Sequence, residues 1–208
     1  MDYSKIRRDY VHEPLRIEQM NPDPIAQFNE WFEFAYEVFG QDTNAMSLAT
    51  ADASGRPSVR TVLLKGVGES GFLFFTDYES QKGRQLSEQP YAALLFFWPG
   101  MDRQIRIEGK VHRVDPSVSD AYFSSRPLGS RISAAASPQS RRITREEMEA
   151  RRKELENLEE IPRPDRWGGY ELVPERLEFW HGQKSRFHDR IIYERKDTGK
   201  YEMYRIAP

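Results

Sequence analysis

The sequence predicts a mainly β protein with flanking helices, an α+β fold built on an antiparallel sheet or barrel. Three observations lead there. Five short β-rich runs follow one another between residues 45 and 114, an amphipathic helix precedes them, and further strand candidates return after residue 167 beyond a helical stretch. Short connections rich in Gly, Pro, Ser and Asp suit antiparallel pairing, whereas parallel strands need long crossovers.

Residues 1–20 are charged and irregular, and read as a segment ahead of one domain, 21–208, long enough to bury a core. In DPIAQFNEWFEFAYEVFG, Asp23 caps a helix, Pro24 takes its first position and Gly40 stops it. Ile25, Phe28, Trp31, Phe32, Ala35 and Phe39 form its apolar stripe. The strand runs are AMSLATA, SVRTVLLK, GFLFFT, YAALLFFW and RQIRIEGKVHRV, with SGRP, GESG and PGMD as turns. Asp115 and Pro116 open a helix to about Arg126, and Thr144 with Glu147 makes a capping box for another, to about Leu158. That helix is largely solvated, and its spacing pairs Glu147 with Arg151 and Glu149 with Lys153, each worth only about 0.2–0.5 kcal/mol. After the loop IPRPDRWGG come YELV, RLEFWH and SRFHDRIIYER, the last turning through DTGK into YEMYRI.

Composition narrows the function. Thirty-one Lys and Arg against thirty-three Asp and Glu leave a net charge of −2, so no broad field favours nucleic acid or an anionic membrane, and any anion site must be local. Without cysteine there is neither a disulfide framework nor a thiolate metal site, and a cytoplasmic setting raises no difficulty. The longest apolar run, YAALLFFW, falls far short of the about 20 residues a membrane helix needs, and the N-terminus lacks an export signal's apolar core. His12, His112, His181 and His188 are too scattered for a metal site. No GxSxG elbow, Walker loop, GxGxxG turn or HExxH helix occurs.

The local candidates are clusters of cations. In LEFWHGQKSRFHDR, a regular strand puts Arg186, His188 and Arg190 on one face and Phe187, Ile191 and Tyr193 on the other. One exposed Arg is ordinary surface. Three such groups in register, with Trp180 nearby, repel one another unless an anion or electron-rich ring covers them. Tyr122 and Arg126 are four apart on a helix, with Ser130 in the turn after Pro127. Phenol, guanidinium and hydroxyl suit a phosphate, although a Tyr–Arg pair is also common helix decoration. Arg60 and Lys65 differ by an odd number, so on a regular strand they serve two anions, or one is solvated. In TDYESQK, Thr76 ends a strand and Ser80 to Lys82 begin a short helix whose free donors and lysine can meet a phosphate. Gln104 shares a strand face with Arg106 and Glu108, and its amide can both donate and accept toward a heterocycle edge.

With these clusters in place, the chain resembles the pyridoxamine 5′-phosphate oxidase family. The resemblance rests on LEFWHGQKSRFHDR at 177–190, RRDY at 7–10, RTVLLK at 60–65, YFSSRPLGS at 122–130, SPQS at 137–140, WGGY at 167–170 and the terminal RIAP. It implies an FMN-binding split β-barrel of antiparallel Greek-key type, working as a homodimer with each flavin held at the subunit interface by residues of both chains. It implies FMN phosphate contacts from Arg60, Lys82, Gln139 and Ser140, with Phe75, Thr76, Gln104, Trp180 and Arg190 around the rest of the cofactor. Thr61, Val62, Leu63, Leu64, Lys65 and Gln81 complete the implied cofactor set. The substrate phosphate takes Lys65, Tyr122, Arg126 and Ser130. Arg186 and His188 lie by the pyridine ring as catalytic residues, and Arg7 with Tyr10 reach it from a mobile N-terminal segment.

The implied reaction converts pyridoxamine or pyridoxine 5′-phosphate to pyridoxal 5′-phosphate by hydride transfer to FMN, which dioxygen reoxidises with release of hydrogen peroxide. One departure stands out: Gln81 lies between Ser80 and Lys82 where Arg is often expected, which points to weaker flavin affinity unless Arg84 compensates. Flavin oxidases of phenazine biosynthesis share the fold and the C-terminal signature, but their substrate has no phosphate. Non-enzymatic flavin- or heme-binding split-barrel proteins need only the cofactor residues. Tyr122, Arg126 and Ser130 favour the phosphorylated B6 vitamer over both.

Overall fold

The computed structural model describes residues 1–5, 8–68 and 70–208. In chain order the elements are α1 (Pro24–Phe39), β1 (Ala45–Ala51), β2 (Pro57–Leu63), β3 (Gly66–Val67), β4 (Phe72–Asp77), α2 (Gln81–Glu88), β5 (Tyr91–Trp98) and β6 (Arg103–Arg113). There follow α3 (Pro116–Ser125), α4 (Leu128–Ala136), α5 (Arg145–Glu156), β7 (Trp167–His181), β8 (Asp189–Arg195) and β9 (Tyr201–Arg205). The sheet runs β2-β1-β5-β6-β7-β4-β3, with β8 paired to β7 and β9 to β8. Two compact units are present: unit one comprises Met1–Leu48, Ala93–Gly109 and Pro174–Pro208, and unit two Ala49–Ala92 and Lys110–Val173. Among the described residues no helix is long and apolar enough to cross a membrane.

In unit one, α1 begins and ends as its sequence predicts. The Asp23 carboxylate accepts the Ile25 N–H at 2.9 Å, and Gly40, at φ 60°, turns the chain where a side chain would strain it. The inner face of α1 sets Phe28 edge-on to Phe96 at 5.2 Å and Trp31 edge-on to Phe179 at 5.2 Å; Phe179 meets Tyr193 at 5.3 Å. These rings are almost wholly buried, each stabilising the fold by about 1.5–3 kcal/mol through removed apolar area. Burial pushes the Tyr193 phenol up, and its hydroxyl is satisfied by donating to the Asn21 carbonyl at 2.6 Å.

Two strand expectations need correction. YELV and RLEFWH are one strand, β7, of 15 residues that also takes in WGG and passes straight through Pro174. A proline fits an extended strand wherever the ladder needs no N–H, and its carbonyl still accepts from the Tyr201 hydroxyl at 2.7 Å. The second correction concerns SRFHDRIIYER, where β8 starts only at Asp189. Lys184–Arg186 forms a single 3-10 turn in which Ser185 (φ 55°) and Arg186 (φ 62°) are left-handed. The His188 Nδ1 accepts the Gln183 N–H at 3.1 Å, a local bond that replaces ladder pairing. Arg186 and His188 therefore do not alternate with Arg190 along a strand, and Phe187 is 78% exposed, outside the core. Ile191 and Tyr193 are buried as expected.

In unit two, β4 and β7 pair antiparallel, with Phe74 opposite Tyr170 and Thr76 opposite Gly168. Gly168 is required by packing, since a Cβ there would stand 2.1 Å from the Tyr78 hydroxyl. Ser80 caps α2 by accepting the Gly83 N–H at 3.3 Å, and Asp115 caps α3 by accepting the Ser117 N–H at 2.8 Å. α4 forms where a turn was expected, so Ser130 sits in a helical first turn. Pro127, read as a break, instead precedes that helix, and Ile132 of α4 is buried with Phe123, Ile161 and Trp167. The capping box of α5 is present and none of that helix is buried. Its ion pairs are Arg145–Glu149 at 2.9 Å and Arg152–Glu156 at 2.7 Å, not the two expected, because the Glu147 carboxylate accepts the Thr144 N–H at 2.9 Å.

Candidate active site

A cavity of about 500 Å³ opens in unit two. The end of β2 and the residues after it contribute Arg60, Thr61, Val62, Leu63 and Lys65, while β4 contributes Phe75 and Thr76 and α2 contributes Lys82. Tyr122, Arg126 and Ser130 come from α3, its C-terminus and α4, and Gln139 comes from the following loop. Arg60 and Lys65 thus share one cavity. The odd spacing that separated them presumed a regular strand through Lys65, but β2 stops at Leu63.

Among the described residues, four cations line this cavity and no Asp or Glu does. Lys82 donates to neutral oxygens: Thr76 Oγ1 at 3.1 Å, Ser80 Oγ at 3.4 Å and Gln139 Oε1 at 3.0 Å. Arg60 donates to Thr50 Oγ1 and Ser58 Oγ, both at 2.7 Å. The Arg126 guanidinium lies 4.9 Å over the Trp167 ring, and its Nη1 is buried with no hydrogen-bond partner. Burial pulls Lys82 below the usual ammonium range, with the Arg60 charge adding to it, and burial likewise pulls down Arg60 and Arg126. Desolvated cations supported by neutral groups can each gain from an anion, and phosphate oxygens supply the acceptors that Arg126 lacks.

One wall is aromatic. Phe75 stacks on Tyr122 at 4.0 Å and on Trp167 at 5.4 Å. Trp167 and Pro127 line the cavity although no role was argued for either; the cue for Trp167 was its place in WGGY, beside glycines that only a close approach explains. Gln81 is exposed and off the cavity, where its N–H donates to Ser140 Oγ at 3.2 Å. That bond ties the 137–140 loop, with Ser140 left-handed at φ 66°, to the start of α2. Leu64 is buried and is not among the lining residues. Arg84, the residue expected to compensate for Gln81, donates to the Glu79 carbonyl and is not among the lining residues.

The remaining candidates gather in unit one. The rings of Tyr10, Trp180 and His188 form a cluster, with centroids 6.0 Å apart for Tyr10–Trp180, 5.5 Å for Tyr10–His188 and 4.8 Å for Trp180–His188. Because its Nδ1 accepts, His188 presents Nε2–H as a donor, and burial followed by the Arg186 charge holds its pKa below the usual imidazole value. Arg186 is exposed. Arg190 lies opposite Trp180 on the neighbouring strand and binds Glu178 through two bonds of 2.9 Å, with Nη1 donating to the Ala207 carbonyl at 3.1 Å. Glu178 is only 2% exposed and was not foreseen; its link to Arg190 is a diagonal across two strands and depends on their register. Gln104, Arg106 and Glu108 alternate with buried Ile105 and Ile107 as expected. Arg7 lies outside the described residues.

Comparison with known proteins gives the chain a family. The family described as pyridoxamine 5′-phosphate oxidase matches residues 32–159, and the pyridoxine 5′-phosphate oxidase C-terminal dimerisation region matches 167–208. A pyridoxine/pyridoxamine 5′-phosphate oxidase of Paraburkholderia phymatum is 48% identical over 206 residues, covering 98% of this chain and 97% of that one. The solved structure of PhzG from Burkholderia lata, in complex with tetrahydrophenazine-1-carboxylic acid, superposes with a TM-score of 0.86 at 30% identity, covering 92% and 95% of the two chains. An FMN-binding protein of Nostoc punctiforme, related to pyridoxamine 5′-phosphate oxidase, shares the fold with a TM-score of 0.73 at 20% identity, covering 89% and 98%. The expected split β-barrel is the fold of these neighbours. The chain is an oxidoreductase and belongs to the pyridoxamine 5′-phosphate oxidase family, whose C-terminal dimerisation region it carries.

Proposed function

We propose that this protein oxidises pyridoxamine or pyridoxine 5′-phosphate to pyridoxal 5′-phosphate, with FMN as cofactor and dioxygen as final acceptor. The observation that carries the reading is the cavity of unit two, which Arg60, Lys65, Lys82 and Arg126 line together with no Asp or Glu among the described lining residues, and where Arg126 keeps a buried donor without a hydrogen-bond partner. Flavin and substrate each bring a phosphate, and the residues divide accordingly. Arg60, Lys82, Gln139 and Ser140 serve the flavin phosphate, while Lys65, Tyr122, Arg126 and Ser130 serve the substrate phosphate. Four charge-assisted bonds at about 1.5–3 kcal/mol each anchor a phosphate, but after the cost of association they need ring contacts to bind tightly.

FMN, when bound, supplies the electron sink for the hydride and passes the electrons to dioxygen, giving hydrogen peroxide. The chain itself binds and orients. Thr61, Val62, Leu63 and Phe75 bound the cavity beside the cations; Gln104, Trp180 and Arg190 are the further residues that this reading assigns to the cofactor. Arg186 orients the pyridine ring and offsets its charge, and His188 offers Nε2–H to it. Tyr10 closes on the same ring. The active form is a homodimer joined through 167–208, in which each flavin draws on both chains, and its setting is the cytoplasm.

The phenazine-type reading has a structural neighbour, a PhzG seen with a tetrahydrophenazine carboxylic acid. It leaves Tyr122, Arg126 and Ser130 without a phosphate to hold, and so accounts for less of the cavity. The test is aerobic turnover of pyridoxamine 5′-phosphate by the purified protein with FMN added, following pyridoxal 5′-phosphate and peroxide together. Equal formation of both is the expected result; no turnover while flavin is bound overturns the reading.

A further inference from the structure

Residues 8–15 belong to no helix or strand, so their position depends on what they bind. Two of those attachments, one on each side of Tyr10, converge on Asp102. This residue is 5% exposed and left-handed at φ 53°, a conformation Asp tolerates better than most. Its Oδ1 pairs with Arg8 Nη2 at 2.9 Å, its Oδ2 meets His12 Nε2 at 2.9 Å, and its carbonyl accepts the Gly182 N–H at 2.9 Å. Arg8 also donates to the Pro99 carbonyl at 3.0 Å.

Tyr10 lies between the two residues that Asp102 holds, and its ring fills the space above Gly182. A Cβ at Gly182 would stand 2.8 Å from that ring and 3.2 Å from the Asp102 side chain. Further along, the Leu15 N–H donates to Asp189 Oδ2 at 2.9 Å and Gln183 Nε2 donates to the Glu13 carbonyl at 3.1 Å. The arrangement is a fastened strap: a buried acid grips it on either side of one aromatic ring, and a glycine leaves room for that ring against Trp180 and His188.

We infer that Asp102 is a positioning residue, which fastens residues 8–15 so that Tyr10 covers the Trp180–His188 face. The inference rests on the proposed function only in taking that face as the substrate's. Arg8 is more than half exposed and its ion pair counts for little alone, so the grip depends on one buried carboxylate receiving both Arg8 and His12. Asn favours the same left-handed backbone, which makes Asp102→Asn a change of charge with little change of shape.

The experiment uses the full-length, flavin-loaded enzyme and reads three quantities: chymotryptic cleavage after Tyr10, KM and kcat for pyridoxamine 5′-phosphate, and flavin affinity. Asp102→Asn should speed cleavage about tenfold and raise KM by a similar factor, with kcat, flavin affinity and melting temperature nearly unchanged. Gly182→Ala, which removes the ring's seat from the other side, should do the same. Tyr10→Ala added to Asp102→Asn should raise KM little further, since both changes remove one interaction. Unchanged cleavage in Asp102→Asn overturns the inference, as does faster cleavage with KM unmoved or additive effects in the double variant. Failure of the proposed function appears separately, as wild-type enzyme that binds flavin without turnover, and it leaves the cleavage comparison readable.

Discussion

In unit two, Lys82 and Arg60 are held by hydroxyls and amide oxygens, and the Arg126 guanidinium rests on a tryptophan. In unit one, Arg190 binds Glu178 and Arg205 binds Asp189. All these side chains carry the same charge, yet the second set meets carboxylates directly, whereas Lys82 is held by neutral oxygens and feels Asp77 only as a secondary pull. Carboxylates beside a cation stabilise the fold whether or not a ligand is present. Hydroxyls and amides offset a buried cation less than a carboxylate does, so on the proposed function an anion would add stabilisation that the protein alone does not supply. On the proposed function, the contrast separates a region that receives a phosphate from one that holds its own side chains in place.

The contrast is broken most directly at Glu178. Glu178→Gln strips the buried counter-charge from Arg190 and, more distantly, from Arg106 and Arg176, so unit one should lose roughly 3–5 kcal/mol in urea unfolding. A loss below about 1 kcal/mol would mean that unit one does not depend on internal neutralisation.

Next in size is a pH effect. His181 is 6% exposed and its Nδ1 has no partner; burial first, then the Arg103 and His12 charges, hold its pKa down to about 4 against the opposing pull of Asp189 and Asp102. The unfolded chain takes up this proton near pH 6.5 and the folded one only near 4. Stability is therefore fully present above about 6.5, falls as pH drops toward 4 and levels below it, a loss of roughly 2–3 kcal/mol. Urea midpoints measured across that window should show the fall in the wild type and lose most of it in His181→Gln.

The smallest of the three changes sharpens the comparison from the other side. Arg126→Ala should raise KM for pyridoxamine 5′-phosphate about 30-fold, close to 2 kcal/mol of lost phosphate binding, in steady-state assays. It should leave the ligand-free melting temperature unchanged or higher, since it removes a desolvated cation with an unsatisfied donor. A ligand-free protein that melts well below the wild type would show that Arg126 supports the fold, and the contrast between the units would fail there.

Some of this was legible in advance because it is local. The Asp23, Asp115 and Ser80 caps, the Thr144–Glu147 box and the one-turn spacing of Tyr122 and Arg126 each depend on residues a few positions apart. The turn at Ser185 and Arg186 was not legible, because it takes a bond from Gln183 to the His188 ring to outweigh a strand-like pattern. Ser130 was expected in a turn because a proline marks both a break and a helix start, and burial of Ile132 decided between them.

By itself, the sequence determined the β-rich order of elements, the helix ends and the kinds of side chain available to hold a phosphate, because periodicity and capping act over a single turn or strand. Tertiary structure alone decided that Arg60 and Lys65 share a cavity, that Trp167 lies beneath Arg126, and that Glu178 pairs with Arg190 while Lys82 is held by neutral oxygens. Those outcomes depend on strand register and on which charges burial brings within a few ångströms of one another, and both are set by the packing of residues distant in the chain.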